Sequence, residues 1–165
     1  MPVFVSGLPL HVLMVHAVVV LVPLSVLGAL VVALWPAARR RFGWLVVGLT
    51  AVATASIPIA EVSGEDLRDR LQPTDLIQQH AQLGGELLVF VIALLVFTLA
   101  LVAFDHYRSR QGAEVRSGRV VVVVAAVLVV GFAVTSAAQV VRIGDSGAKA
   151  AWADTNYVTP VAHGG

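Results

Sequence analysis

The chain has 165 residues, of which 58% are hydrophobic and 13% are charged, and its formal net charge is +1. Soluble domains are about half apolar and about a quarter charged, so this composition excludes an ordinary soluble domain and indicates a membrane protein. The low net charge, with no basic patch interleaved with aromatic residues, excludes a nucleic-acid-binding module. Cysteine is absent, which excludes disulfides, thiolate metal sites and covalently attached haem.

Four apolar runs are each long enough to cross a hydrocarbon core, which needs about 20 residues. They cover about residues 8–35, 42–60, 76–104 and 120–142, and a polar tail follows at 143–165. No Lys or Arg precedes Arg39, so the first run lacks the basic region of a cleaved signal peptide and is expected to remain as a span. The sequence predicts one all-α membrane domain, a bundle of four transmembrane helices.

Three connectors join the predicted spans. Trp35-Pro36 and the arginines at 39–41 form a short first turn, and acidic residues dominate the second connector, at 61–75. Thr74 or Asp75 is a candidate N-cap for the third span. The third connector is again rich in arginine. Spans one and three both begin with histidines, but their remaining residues do not align, so no internal repeat is predicted.

The distribution of basic residues predicts the orientation. Seven of the eleven Lys and Arg residues lie in the first and third connectors. The positive-inside rule therefore places these two connectors in the cytoplasm. Both termini, the middle connector and the tail are expected on the outer side of a plasma membrane.

Polar residues within the spans cluster toward the predicted outer side, where His11, His16, His80 and Glu86 lie. An ionisable side chain inside a span is costly and indicates a functional site by default. His11 and His16 are five residues apart, about 140° around a helix, so they cannot both face one ligand. His16 lies deeper and is expected to face the bundle, with His11 nearer the rim.

These residues favour a b-type haem between spans one and three. His16 and His80 would ligate the iron, since neutral imidazole is a common axial ligand, and His11 would lie nearby. Gly84 and Gly85 would leave space beside His80 for a flat macrocycle. Arg142 would pair with a propionate. Such a protein would pass electrons at the outer face, with a redox or other membrane protein as its partner.

Other hypotheses fit the same residues. A copper or zinc ion bound by His11, His16 and His80 with Glu86 or Glu61 would satisfy the usual ligand preferences. A polar cluster would also serve a proton or solute pathway. Alternatively, the histidines reach the interface and form hydrogen bonds within the bundle, in which case the protein is a cofactor-free structural or accessory subunit.

The remaining motifs indicate membrane contacts more than chemistry. No nucleophile elbow or phosphate loop is present, so a stand-alone enzyme is not expected. Ala51 and Ala55 have the small-xxx-small spacing that favours helix association and predict a homodimer within the lipid bilayer. Gly144–Gly147 is typical of a turn before a short surface helix, with Trp152 and Tyr157 as interface anchors. No role is expected for His106 or His163.

Three motifs in the chain carry a family resemblance. They are Gly7-Leu-Pro-Leu-His11 followed by Val15-His16-Ala17, then Gln79-His80-Ala81, and finally the stretch 142–152. In this order they resemble a bacterial family of predicted membrane proteins catalogued as domain of unknown function 2231. The resemblance covers nearly the whole chain and implies four spans, but no settled activity.

The chain departs from that family at its opening motif. The family often reads Gly-His-Pro-Leu-His-Pro there, whereas this chain has Leu8 for the first histidine and Val12 for the second proline. A site that depends on the first histidine would therefore be incomplete. The resemblance leaves His11, His16 and His80 as the matching positions.

Overall fold

The computed structural model describes residues 4–5, 7–111 and 116–152. Within these ranges lie four helices, α1 (Leu10–Leu34), α2 (Pro36–Arg68), α3 (Asp75–Gln111) and α4 (Arg116–Trp152). Each is long and apolar enough to cross a bilayer, so the predicted all-α bundle of four spans is confirmed. Ahead of α1, two-residue strands β1 (Phe4–Val5) and β2 (Leu8–Pro9) pair antiparallel, and Gly7 takes a φ of 82° in the turn that joins them.

The helices are longer than a bilayer requires and mostly apolar on the outside. Helices α3 and α4 have 37 residues each, which is roughly 55 Å at 1.5 Å per residue, against a hydrocarbon core of roughly 30 Å. In the most apolar stretch of each helix, between 17% and 39% of the residues are buried. The exposed remainder is suited to lipid tails rather than to water.

The first connector is shorter than predicted, because α2 begins at Pro36, directly after Trp35. Proline is favoured at the first helical position, where its missing N–H has no helical partner. It also disfavours a helical conformation for the residue before it, so α1 ends at Leu34. The prediction that the arginines at 39–41 form a turn is therefore wrong, since they lie in the first two turns of α2.

The second connector is also shorter than predicted. Helix α2 continues to Arg68, so the connector is 69–74 rather than 61–75. Thr74 Oγ1 accepts the backbone N–H of Ile77 at 3.3 Å, which confirms Thr74 as the N-cap of α3.

Helix α4 continues through the predicted turn and well into the predicted tail. Gly144–Gly147 lies inside this helix, and the polar tail at 143–165 is wrong as far as Trp152. Lys149 pairs with Asp145 at 2.7 Å across one helical turn, a spacing that supports a helix. Residues 153–165, with Tyr157 and His163, lie outside the described residues.

Small residues allow close packing between helices. A Cβ on Gly28 of α1 would lie 3.1 Å from a methyl of Val46 on α2, and one on Gly43 would lie 2.9 Å from both methyls of Val102 on α3. Helix α1 packs on α2 and α3 packs on α4, and these two hairpins meet through α2 with α3 and α1 with α4. Helices α1 and α3 thus lie diagonally across the bundle.

Buried residues occur at corresponding positions in the two hairpins. The shift of 69 residues that carries His11 onto His80 carries six buried positions of α1 onto buried positions of α3. These are Val18, Val22, Ser25, Ala29, Val32 and Ala33, which correspond to Leu87, Val91, Leu94, Thr98, Leu101 and Val102. A shift of 83 residues relates buried Val46, Thr50, Ala53 and Ser63 of α2 to buried Val129, Ala133, Ser136 and Ser146 of α4 in the same way. The two hairpins therefore bury corresponding positions along their helices, a correspondence that was not predicted from the sequence.

A buried ion pair joins α2 to α3 at the arginine end of the bundle, defined here as residues 34–44 with 102–110. Arg39 is only 5% exposed, and its Nε lies 3.3 Å from Oδ2 of Asp105. The angle falls short of a hydrogen bond, so this contact is Coulombic. Nη1 of Arg39 donates to the carbonyl oxygens of Val32 and Ala33, at the C-terminus of α1, where a cation is favoured.

Removal of the Asp105 carboxylate should destabilise the bundle strongly. We expect Asp105→Ala to lower the free energy of unfolding by about 3 kcal/mol, because it leaves a buried guanidinium without its counter-ion. Unfolding of the purified protein in mixed detergent micelles measures this. The matched control is Asp69→Ala, at an exposed pair with Arg68, which should change stability by less than about 0.5 kcal/mol. Equal losses for the two variants would contradict a structural role for the buried pair.

Candidate functional site

Two histidines from the diagonal helices meet at the opposite end of the bundle. The ring centroids of His11 on α1 and His80 on α3 are 6.4 Å apart, and the two ring planes are nearly perpendicular, at 81°. Both side chains are half-buried. We call this the histidine end, defined by residues 10–16, 57–65, 77–87 and 139–151.

His11 is fixed by α2, the neighbour of its own helix within the first hairpin. Its Nδ1 lies 3.0 Å from the carbonyl oxygen of Ala60. A carbonyl oxygen only accepts, so Nδ1 carries the proton. The ring also lies against Gly64, where a Cβ would come within 2.9 Å of Cε1. Glycine is the residue that leaves room for the imidazole at this position.

His80 is fixed by α4 in the corresponding way. Its Nδ1 lies 3.0 Å from Oγ of Ser146, and that hydroxyl donates its own proton to the carbonyl oxygen of Ile143 at 3.0 Å. Ser146 must therefore accept from the Nδ1–H of His80. A Cβ on Gly147 would come within 2.9 Å of Cε1 of the ring.

The hydrogen bonds leave the same nitrogen free on both rings. With Nδ1 protonated and bonded, Nε2 of each neutral imidazole keeps its lone pair. No hydrogen bond from a described residue reaches Nε2 of His11 or His80. Histidines that ligate metals usually donate their other ring N–H to a nearby acceptor, and this hydrogen bond orients the ring.

The two histidines line an open cavity of about 1190 Å³ at the histidine end. All four helices contribute to its walls, which are mainly apolar. Its charged lining comes from Glu61, Glu65 and Arg68 near the end of α2 and from Asp69 directly after it. The cavity lies where the haem was predicted, between spans one and three, and has walls from α2 and α4 as well.

The choice between the two α1 histidines is the main correction to the predicted site. His16 is exposed, and its Nδ1 bonds the carbonyl oxygen of Val12 in its own helix at 2.6 Å. It lines the cavity but does not face the bundle, whereas His11 does. The rotation of α1 follows its buried residues, because Val18 and Val22 point inward and lie seven and eleven positions after His11, which is close to two and three full turns.

Two other predicted contributors lie away from the histidine pair. Arg142 is exposed on α4 and is not among the residues that line the cavity. Glu86 Oε2 accepts a hydrogen bond from Nε2 of Gln139 at 3.0 Å, and the same amide donates to Leu83 O. Gly84 and Gly85 do line the cavity, and a Cβ on either would have no heavy atom within 4 Å.

The residues of the predicted copper or zinc site do not all converge. Glu86 is engaged by Gln139 on the α3–α4 side, His16 is turned outward, and Glu61 lines the cavity. Among the described residues, no group of three or more His, Cys, Asp or Glu side chains is placed to hold a metal ion. The described structure therefore brings two imidazole rings together, with centroids 6.4 Å apart, and does not assemble a complete ligand set for a bare ion.

The residues that hold the histidines were not predicted. A Ser-Gly pair occurs in both partner helices, as Ser63-Gly64 and Ser146-Gly147. Their role was not predicted because Gly-Asp-Ser-Gly is typical of a turn and glycine is disfavoured inside helices. The repeated Ser-Gly pair, one in each half of the chain, is the sequence signal that points to this role.

A family match agrees with the geometry. Residues 7–160 match the family described as "Predicted membrane protein (DUF2231)". The chain belongs to this family. Searches of curated proteins and of solved structures find no match. The three motifs by which the chain resembles DUF2231 meet in the fold, since they supply His11, His80 and the Ser146-Gly147 pair to one end of the bundle.

Substitution of Gly147 tests whether this DUF2231 site depends on close packing. We expect Gly147→Ala to lower the free energy of unfolding by about 1–3 kcal/mol, because the new methyl group would overlap an imidazole that Ser146 and His11 hold in place. Gly144→Ala, one turn earlier on α4, has open space around its Cβ. It should stabilise the protein by about 0.5–1 kcal/mol, as expected for alanine in place of a helical glycine.

We expect the two substitutions to change the free energy of unfolding, measured in mixed micelles, in opposite directions. If Gly147→Ala stabilises the protein as much as Gly144→Ala does, the ring of His80 does not lie against Gly147.

Proposed function

We propose that this DUF2231 protein binds one b-type haem at the histidine end, through Nε2 of His11 and Nε2 of His80. The supporting observation is that both rings are held through Nδ1, by Ala60 and Ser146, while both Nε2 lone pairs remain free. His80 was predicted as a ligand, and His11 takes the place of His16 as the second one.

The number of ligands favours haem over a bare ion. Zinc sites in proteins use three or four side-chain ligands, and the described residues offer no such group. Haem iron already has its porphyrin nitrogens and needs only axial ligands from the protein. Two imidazoles meet that need. The chain has no cysteine, so the haem would be held without covalent thioether bonds.

The spacing and the volume are compatible with this proposal. Two imidazole nitrogens on opposite sides of one metal ion lie about 4 Å apart, because each bond is about 2.0–2.1 Å long. Ring centroids 6.4 Å apart admit an ion between the two rings. The cavity of about 1190 Å³ exceeds the roughly 300–1,000 Å³ of ordinary small-molecule sites.

The charge around the cavity limits how haem would be oriented. Three carboxylates, those of Glu61, Glu65 and Asp69, line the cavity and would repel the propionates. Arg68 also lines the cavity and replaces Arg142 as the partner proposed for a propionate. Its Nε lies 3.9 Å from Oδ1 of Asp69, so a propionate would compete with that carboxylate for the guanidinium.

The chemistry follows from the ligand set. Haem with two imidazole ligands supports transfer of single electrons. The residues of the chain would hold the rings, fix their tautomers and surround the group with apolar side chains. Electron exchange with a membrane or soluble redox partner would take place at the mouth of the cavity, and no step requires a stand-alone enzyme.

Spectra of histidine variants test the proposal. The wild-type protein, purified in detergent from haem-sufficient cells, should show a Soret band and sharp reduced α and β bands. His11→Ala and His80→Ala should each lower haem affinity more than about 10-fold, because even loss of a second-shell partner costs that much. His16→Ala should keep the wild-type spectrum and serves as the matched control.

Three results would count against this proposal. Full haem retention by both His11→Ala and His80→Ala would exclude these ligands. Loss of haem in both His16→Ala and His80→Ala, with full retention in His11→Ala, would return the site to the pair first predicted. A colourless wild-type protein that stays colourless when haem is added would favour the copper or zinc alternative if it contains metal. If it is also metal-free, it would favour a cofactor-free accessory subunit.

We further propose that the histidine end faces outward and the arginine end faces the cytoplasm of a bacterial inner membrane. Support comes from the arginines concentrated near the ends of the first and third spans. Exposed Ala51 and Ala55 on α2 are also compatible with the predicted homodimer, which stays a prediction.

Cysteine labelling tests the orientation without background, because the chain has no cysteine of its own. In intact spheroplasts, a membrane-impermeant maleimide should label Arg70→Cys, in the connector between α2 and α3. It should label Arg110→Cys, at the end of α3, only after the membrane is permeabilised. The reverse pattern would invert the proposed topology.

A further inference from the structure

A second cavity lies at the arginine end, between α2 and α3. Its volume is about 230 Å³, and Arg39, Arg40, Trp44, Asp105 and His106 are among the residues that line it. It is separate from the histidine end, since it lies at the other end of the same helices. Nothing in the proposed haem site uses these side chains.

The charge of this cavity is positive once its buried pair is taken into account. Arg39 and Asp105 neutralise each other at 3.3 Å. Arg40 is exposed and forms no ion pair with another described residue. His106 adds a ring nitrogen, and its ring lies edge-to-face against Trp44, with centroids 6.2 Å apart. The cavity thus presents the guanidinium of Arg40 beside a histidine, a combination that suits a phosphate group.

The position of the cavity in the membrane indicates which phosphate. Trp35 is 64% exposed and Tyr107 is 59% exposed, and both lie at the arginine end. Exposed Trp and Tyr are typical of the headgroup region. Further along α2 and α3 the outward surface becomes apolar, as with the exposed side chains of Leu45 and Leu99. A ligand that reaches both regions needs a phosphate and hydrocarbon chains.

We propose that this cavity binds the phosphate of an anionic phospholipid, with Arg40 and His106 as its polar contacts. The acyl chains follow the apolar surface of α2 and α3. Further exposed arginines at this end, Arg41 and Arg110, form no ion pair with a described residue and favour an anionic over a zwitterionic headgroup. Basic pockets between membrane helices are a known mode of lipid recognition.

Two adjacent arginines provide a matched test. Arg40 lines the cavity, whereas Arg41 does not and lies over the ring of Phe42, 5.4 Å from its centroid. The full-length protein in a neutral detergent is titrated with phosphatidylglycerol, with phosphatidylcholine and with inorganic phosphate, and its Tm is measured. Arg40→Gln and Arg41→Gln remove the same charge from neighbouring positions.

Phosphatidylglycerol should raise the Tm of the wild-type protein and of Arg41→Gln by similar amounts, and Arg40→Gln should lose at least half of that shift. Phosphatidylcholine should give a smaller shift in all three proteins. Equal Tm shifts in Arg40→Gln and Arg41→Gln would overturn the proposal, since the effect of the lipid would then depend only on the net charge of this end. An equal effect of inorganic phosphate would also overturn it, in favour of a soluble-anion site.

Discussion

A hydrocarbon core offers no hydrogen-bond partner, so a polar side chain within a span depends on partners in its own helix, on another helix or at the interface. This constraint explains the contacts that fix the bundle. Gln139 bonds α4 to α3, His11 bonds α1 to α2, and Arg39 joins α2 to α3 and to the end of α1. Apolar packing on valine and alanine alone would leave the register of these helices weakly specified. The few polar contacts between helices specify it.

Much of the architecture was predictable from the sequence, because apolar runs and clustered arginines have strong physical signatures. Four spans and the polar histidine end follow from them. Helix ends did not, since the extension of α2 to Arg68 and of α4 to Trp152 depends on contacts made after folding. The face of α1 that points into the bundle was also predicted wrongly. His16 was expected to face inward because it lies further into the first span. The buried side chains of Val18 and Val22 show that the inward face of α1 is the one that carries His11.

The rings of His11 and His80 are held in place by neighbouring helices, and both rings line an open cavity. Ala60 and Ser146 fix the rings through Nδ1, and two glycines let the rings lie close to the partner helices. Such support would limit the entropy lost if a ligand bound the free nitrogens, because the rings are already held in one orientation. The same support leaves the pair short of a third protein ligand among the described residues. A group that brings most of its own coordination therefore suits this arrangement better than a hydrated ion does.

The common register of the two hairpins also marks where they have diverged. The shift that carries His11 onto His80 carries His16 onto Gly85, and the shift that carries Ser63 onto Ser146 carries Glu61 onto Gly144. All four positions line the cavity. If the chain arose by duplication of one hairpin, an originally symmetric pocket has acquired a carboxylate on α2 and an imidazole on α1 that have no counterparts on α4 and α3. A ligand in this pocket would meet two chemically different sides. It would therefore bind in one orientation rather than in two equivalent orientations.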